Sequence, residues 1–248
     1  MTAATATAAH LRNETRLIQR EPAALIFGAV LPLAAMIVMA AIPAAREANP
    51  DFGGFSVVQM YQPTIVLFAT SVLGLTVMPA ILGGYRQNGI LRRLRTTPAP
   101  AGSLLAALFA VIAAVGLLVS ALLVVVPAVA GAGLPANLGW FTLAALLSLL
   151  AFLGLGTVLA SVVPSPAAAS GIGNVVAAVM WFSAGLWMPR VAFPDWLVTL
   201  TDLTPGGAAT QAMLDATWGV PPSWEPFVVL AVWTALAAAL AVRTFRWE

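Results

Sequence analysis

The sequence predicts an all-α, polytopic membrane protein with six transmembrane helices. Its 248 residues are 61% apolar and only 8% charged, with a mean hydropathy of +0.97, against about 45–50% apolar and about 25% charged in soluble domains. Apolar runs of spanning length recur along the chain, a crossing needing about 20 residues. The charges gather between these runs, and after Arg95 none appears until Arg190.

Residues 1–22 are polar and predict a cytoplasmic amphipathic N-terminal segment. On a helix Arg12, Arg16 and Arg20 share one side while Leu11, Thr15 and Ile18 share the opposite one, the pattern of an interfacial helix. A charged tail without fixed structure is the alternative. The chain does not open on an apolar run, so the first span reads as a retained anchor rather than a cleaved signal.

Residues 23–248 make the spanning domain, with apolar runs at 23–45, 61–84, 104–130, 138–163, 167–188 and 227–242. The last reaches crossing length only if it starts within Trp224-Glu-Pro226. Pro164-Ser-Pro166 predicts a tight turn between the fourth and fifth runs. Both termini then fall on one side with Arg12, Arg16, Arg20, Arg86, Arg92, Arg93, Arg95, Arg243 and Arg246, while the other side keeps Arg46, Arg190 and most of the acids. The positive-inside rule puts the termini and the loop at about 85–103 in the cytoplasm, with the chain multi-pass in the cell membrane.

In that loop Ile90, Leu91 and Leu94 fall within about 100° of one another on a helix, with Arg92, Arg93 and Arg95 covering most of the rest. The spacing predicts a short amphipathic helix from about Tyr85 that stops before Pro98. Such a helix lies on lipid or fits a groove of another protein. A solvated basic loop with a purely topological role is the other reading.

The run Gly89-Ile-Leu-Arg-Arg-Leu-Arg-Thr-Thr-Pro98 resembles the cytoplasmic coupling segment of the ATP-binding-cassette type-2 permease family. A second block, Phe182-Ser-Ala-Gly-Leu-Trp-Met-Pro189 followed by Phe193-Pro-Asp-Trp-Leu197 and Leu203-Thr-Pro-Gly-Gly207, is similar to the family's fifth-span end and external hairpin. The chain departs from the pattern at Gln87 and Asn88, where acids are common, and at Ile90 and Arg92, where the family often has Thr and Glu. The resemblance implies a drug- or antibiotic-exporter-like subunit of the daunorubicin-resistance type. Two such subunits pair, and each docks on a separate ATPase through Gly89, Ile90, Leu91, Arg92, Arg93, Leu94 and Arg95. ATP and Mg would be bound by that ATPase, with no cofactor on this chain.

Residue counts support this division of labour independently. A phosphate-binding Walker loop needs a lysine, and the chain has none. It has no cysteine, its one histidine is His10 in the tail, and no predicted span holds an acid, so thiol, metal and Ser/His chemistry within the membrane lack their residues. Proton-coupled carriers place Asp, Glu or His in their spans; sodium coupling through backbone carbonyls leaves no such signature, so an ion-coupled secondary transporter, like a non-transporting membrane scaffold, stays an alternative. A net charge of +2 is weak ground for nucleic-acid binding.

For a hydrophobic substrate the fifth span offers one helical stripe: Asn174, Ala178, Trp181, Gly185 and Met188. Aromatics and thioethers adapt to varied apolar shapes; a packing face against another helix or a second subunit is the alternative. Beyond it, at about 189–225, Pro189, Pro194 and Pro205 punctuate the chain, Asp195 opens a short helix, and Gly206-Gly207 permits a turn into a second one reaching about Ala216. Trp196, Leu197, Leu200 and Leu203 give the first helix an apolar face. The resemblance implies an extracellular re-entrant hairpin between the fifth and sixth spans, with Trp196, Leu197, Leu200 and Pro205 as an external gate; a plain interfacial helix pair is the other reading. Ala-rich, Arg-only composition suggests a GC-rich bacterial genome.

Overall fold

A computed structural model describes residues 11–12, 14–15, 26–90, 93, 101–221 and 223–244. Among these residues all regular structure is helical: α1 (Ile26–Ala41), α2 (Val57–Gln87), α3 (Ala101–Pro127, prolonged by a π turn at Ala128–Ala132), α4 (Leu138–Val162), α5 (Pro166–Ser183), α6 (Asp195–Asp202), α7 (Pro205–Trp218) and α8 (Glu225–Thr244), with single turns at Pro43–Arg46, Pro50–Phe52 and Arg190–Ala192. Five of them, α2, α3, α4, α5 and α8, are long and apolar enough to cross a membrane, and α1 is apolar but shorter. The all-α polytopic class is as expected.

Several boundaries differ from the expected ones for local reasons. α1 stops at Ala41 instead of reaching residue 45, because Ile42 precedes Pro43 and takes φ −84° and ψ 113°; the proline ring disfavours the helical conformation one residue earlier. Residues 23–25 lie outside the described residues. α2 begins before its apolar run, on a capping box in which the Ser56 hydroxyl accepts from the Gln59 N–H and the Gln59 amide oxygen accepts from the Ser56 N–H. α5 ends at Ser183, not 188. There the Leu186 N–H donates to the Trp181 carbonyl at 3.0 Å and the Gly185 N–H to the Phe182 carbonyl at 2.9 Å, with Gly185 at φ +80°. This is a Schellman close, which glycine accommodates without strain. α8 starts at Glu225, and Val163–Ser165 makes the expected prolyl turn before α5.

Helix α2 runs through the middle of the bundle, and two apolar core clusters stack along it. One joins Met36, Leu67, Phe141, Phe152, Met213 and Leu230. The other joins Leu73, Met78, Leu82, Leu108, Ile112 and Leu149. Between the ends of the helix the segment Val72–Val77 winds as a π turn, a feature that shifts the register of carbonyls within a helix. Here α4 and α5 approach so closely that a methyl group on Gly156 would land on the Gly74 carbonyl oxygen, and one on Gly173 on the Leu75 carbonyl oxygen. Small residues permit this backbone proximity, which supplies the dispersion that lipid-embedded helices rely on. Hydroxyls complete the junction: Ser170 Oγ donates to the Thr76 carbonyl at 3.2 Å, and Thr76 Oγ1 donates to Asn174 Oδ1 at 2.6 Å.

The expected pair of short helices after α5 is present as α6 and α7, but the two differ sharply in burial. α7 buries most of its residues against α4, α8, α2 and α5, while α6 buries Thr201 alone. The last turn of α7 is clamped to the entrance of α4 by the Ala136 and Asn137 N–H groups, which donate to the Thr217 and Ala216 carbonyls at 3.3 and 2.8 Å. Those bonds satisfy carbonyls that a helix end leaves open.

Alanine at position 173 or 156 is expected to lower the thermal unfolding temperature in detergent, at an overpacking cost of about 1–3 kcal/mol each. Alanine at Gly171, an exposed α5 position with nothing within 4 Å of its added methyl, should be neutral or stabilising by up to about 1 kcal/mol. A fluorescence-detected size-exclusion melting series on the three variants checks both.

Candidate functional site

At the end of the bundle that carries the loop, α2 continues without a break through Gln87, so the loop helix does not begin at Tyr85 as expected. Asn88 and Gly89 form a turn, with Gly89 at φ +66°. Ile90 and Arg93 are helical and exposed, and the Arg93 N–H donates to the Gly89 carbonyl at 3.1 Å. Leu91, Arg92, Leu94 and Arg95 lie outside the described residues.

The base of the loop is held from two sides. Tyr85 is buried and its hydroxyl donates to the buried carboxylate of Glu14, while Leu11 packs against the same core cluster as Tyr85. Of the expected N-terminal helix, Leu11, Arg12, Glu14 and Thr15 are helical, with Arg12 and Thr15 exposed, and the remainder falls outside the described residues. On the other side the Arg86 guanidinium donates to the carbonyls of Ala160 and Ser161, the latter at 3.2 Å. A cation there complements the negative end of the α4 dipole and satisfies its terminal carbonyls.

At the opposite end Arg190 is buried at 6% exposure and joins three pieces of chain. One terminal nitrogen donates to the Ser183 carbonyl at 2.6 Å and to Thr201 Oγ1 at 3.2 Å, and the other pairs with the Asp202 carboxylate. The arginine therefore ties the end of α5 to the end of α6, close to where α7 begins. Room for it comes from two glycines: a methyl group on Gly185 would meet its Cγ at 3.0 Å, and one on Gly207 a terminal nitrogen at 2.9 Å. In the sequence Arg190 reads only as an orientation signal. The available clue was an isolated Arg and Asp bracketing a short helix in a charge-poor chain.

The stripe predicted on the fifth span is divided. Asn174, Ala178 and Trp181 remain on α5, whereas Gly185 and Met188 lie past its end. Trp181 turns toward α2: its indole N–H donates to Ser71 Oγ at 2.8 Å and its ring lies 4.8 Å from that of Phe68. Ala178 is half-buried, Gly185 buried, and Asn174 and Met188 exposed. The exposed face of α5 carries Ile172, Val175, Val179 and Phe182 instead. Among the hairpin residues Trp196 and Leu200 are exposed, Leu197 is half-buried and Pro205 is buried at the start of α7. The Trp233 indole N–H donates to the Leu203 carbonyl at 2.9 Å, fastening the hairpin to α8.

The family model for ABC-2 type transporters matches residues 5–218, from the N-terminal segment through α7. The chain belongs to the ABC-2 type transporter family. No curated protein matches it. The matched region of this ABC-2 transporter includes both the loop base and the Arg190 junction, and permeases of the family normally pair with an ABC ATPase. Among the described residues no three His, Cys, Asp or Glu side chains gather as a metal site.

Asp215 lies in α7, outside the long apolar helices. Burial pushes its carboxyl up from 3.8; the Gln211 hydrogen bond opposes this, the Asp202 charge adds to it, and Arg190 opposes it. A carboxyl raised on folding favours the folded state while protonated, and that contribution is lost as pH rises through the raised value. Asp215→Asn should therefore gain thermal stability over wild type as pH is raised above 3.8, the gap widening until Asp215 is fully ionised. Paired melting curves across pH test the sign.

Proposed function

We propose that the chain is the membrane subunit of an exporter that moves a hydrophobic or amphipathic compound out of the cell, driven by ATP hydrolysed on a separate polypeptide. One observation carries the reading: in an ABC-2 family chain without a lysine, the basic loop springs from a base fixed to both α4 and the N-terminal segment. A loop meant only to mark topology needs no such footing. A loop that receives force from a docked protein does.

Motion follows the contacts. ATP binding draws two ATPase subunits together and displaces the loops around residues 89–97. Through Tyr85 and Arg86 the displacement enters α2 and α4. α7, packed along α4 and clamped to its entrance, carries it to the hairpin at the far end, so that two paired subunits rock between inward- and outward-open forms. The distribution of arginines supports a cytoplasmic loop and an external hairpin. The exposed α5 face supplies an apolar wall, with Asn174 as its polar point. The anchoring of Trp181 on Ser71 and Phe68 favours packing over substrate contact for that residue. Drugs, antibiotics and lipids all suit such a path.

Purification of the tagged chain from its native host in mild detergent should bring down an ATPase with a lysine-bearing P-loop. The double variant Leu91→Asp/Leu94→Asp should recover at least about tenfold less of it, since an apolar docking face cannot bury two carboxylates. A folded wild type that arrives alone even after gentle crosslinking would sink the exporter reading.

A further inference from the structure

Between the second half of α3 and the first turns of α4 lies a groove of about 300 Å³, walled by Leu117, Ala121 and Val125 on one side and Leu138, Phe141 and Ala145 on the other. Two hydroxyls border it, and each spends its proton on its own helix, so neither donates to a ligand. Ser120 Oγ donates to the Gly116 carbonyl and Thr142 Oγ1 to the Leu138 carbonyl, both at 2.8 Å. What the groove offers is therefore dispersion and apolar burial only. Its α3 wall from residue 117 to 125 extends about 12 Å at 1.5 Å per residue.

A cation lies on the chain segment that continues from its α3 wall. Arg46 reaches the end of α3 and donates to the Ala130 carbonyl, five residues past Val125 on the groove wall, and a methyl group added at Gly131 would lie 3.5 Å from one of its terminal nitrogens. From there the chain turns through Gly131 and Gly133, at φ +97° and +80°, to Leu134, which closes this end of the groove. Among the described residues no carboxylate lies within ion-pairing distance of Arg46, and its Nε is buried without a hydrogen-bond partner. The helix-end carbonyl uses one of the five guanidinium N–H groups.

We propose that this groove and Arg46 together hold one phospholipid of the surrounding bilayer, its acyl chain lying between α3 and α4 and its phosphate on the Arg46 guanidinium. Charge complementarity selects the occupant. An apolar slot between lipid-facing helices takes a hydrocarbon chain, and an arginine held on the segment between Val125 and Leu134, both of which line the slot, pairs with the phosphate that such a chain bears. The inference rests on the membrane setting of the fold and not on the export reading.

The experiment reconstitutes the full chain in vesicles of phosphatidylethanolamine and phosphatidylglycerol, extracts it in mild detergent and counts retained phospholipid by native mass spectrometry. Wild type should keep one phospholipid per chain, and Arg46→Lys should keep most of it. Arg46→Gln and Ala121→Phe should each lower occupancy by about tenfold, the effect of losing one charge-assisted hydrogen bond or the space for the chain. Ala121 is exposed, so its variant decides the matter even where Arg46→Gln fails to fold. Equal retention in all four proteins, or none in wild type, overturns the proposal. So does a disulfide-linked dimer formed in the vesicles by Ala121→Cys in this otherwise cysteine-free chain, which would assign the face to a second copy.

Discussion

The bundle depends on one close approach. At the π turn of α2 the backbones of α4 and α5 come within reach of carbonyl oxygens that no side chain could share, and Gly156 and Gly173 are what make that possible. In lipid there is little hydrophobic gain in hiding one apolar helix against another, so contact area and hydrogen bonding must do the holding. Ser170, Thr76, Asn174, Ser71 and Trp181 cluster around the same turn and cross-link α2 to α5. The two apolar core clusters lie along α2 on either side of this junction. Helices α5 and α8 leave most of their residues unburied, as a lipid-facing surface would.

Among the described residues the charged side chains that cross-link the bundle sit at its two ends, and at each end they link helices that are distant in sequence. Arg86 joins the end of α2 to the end of α4, and Glu14 joins the N-terminal segment to Tyr85. At the other end Arg190 gathers α5 and α6, while backbone bonds hold α7 to α4. Helix α4 is thus gripped at both of its ends by segments outside itself. A helix held in this way moves as a unit, which is the mechanical property a subunit needs if force applied at one surface is to open a path at the other.

How much of this could be read from the residues depended on the range of the interaction. Hydropathy located the long helices because a lipid-exposed stretch must be apolar over its whole length, and prolines and caps act on adjacent residues, so the turn at Pro164-Ser-Pro166 and the start of α8 within Trp224-Glu-Pro226 were legible. The early end of α5 was legible too, in Gly185, but the apolar run continuing to Met188 outweighed it. Gly74, Gly156 and Gly173 carried no visible signal, since small residues are everywhere in this chain and only the fold pairs these three. The deep burial of α7 was hidden similarly: its Ala, Gly and Thr residues look unremarkable until α4, α2 and α5 close around them. Arg190 reads as a surface charge until Asp202, Thr201 and the Ser183 carbonyl are brought to it.

The Arg190 junction also bears on how such a protein can change over generations. Its guanidinium fits only because positions 185 and 207 lack side chains, and the buried charge is tolerable only while Asp202 stands beside it. No single member can be exchanged without stranding the rest. A larger residue at 207 evicts the arginine, loss of the arginine opens a void between α5 and α7, and loss of the aspartate leaves a cation without its counter-ion. Viable lineages should therefore hold these four positions as a block or replace them together, while the exposed apolar residues of α6 a few positions away drift one at a time.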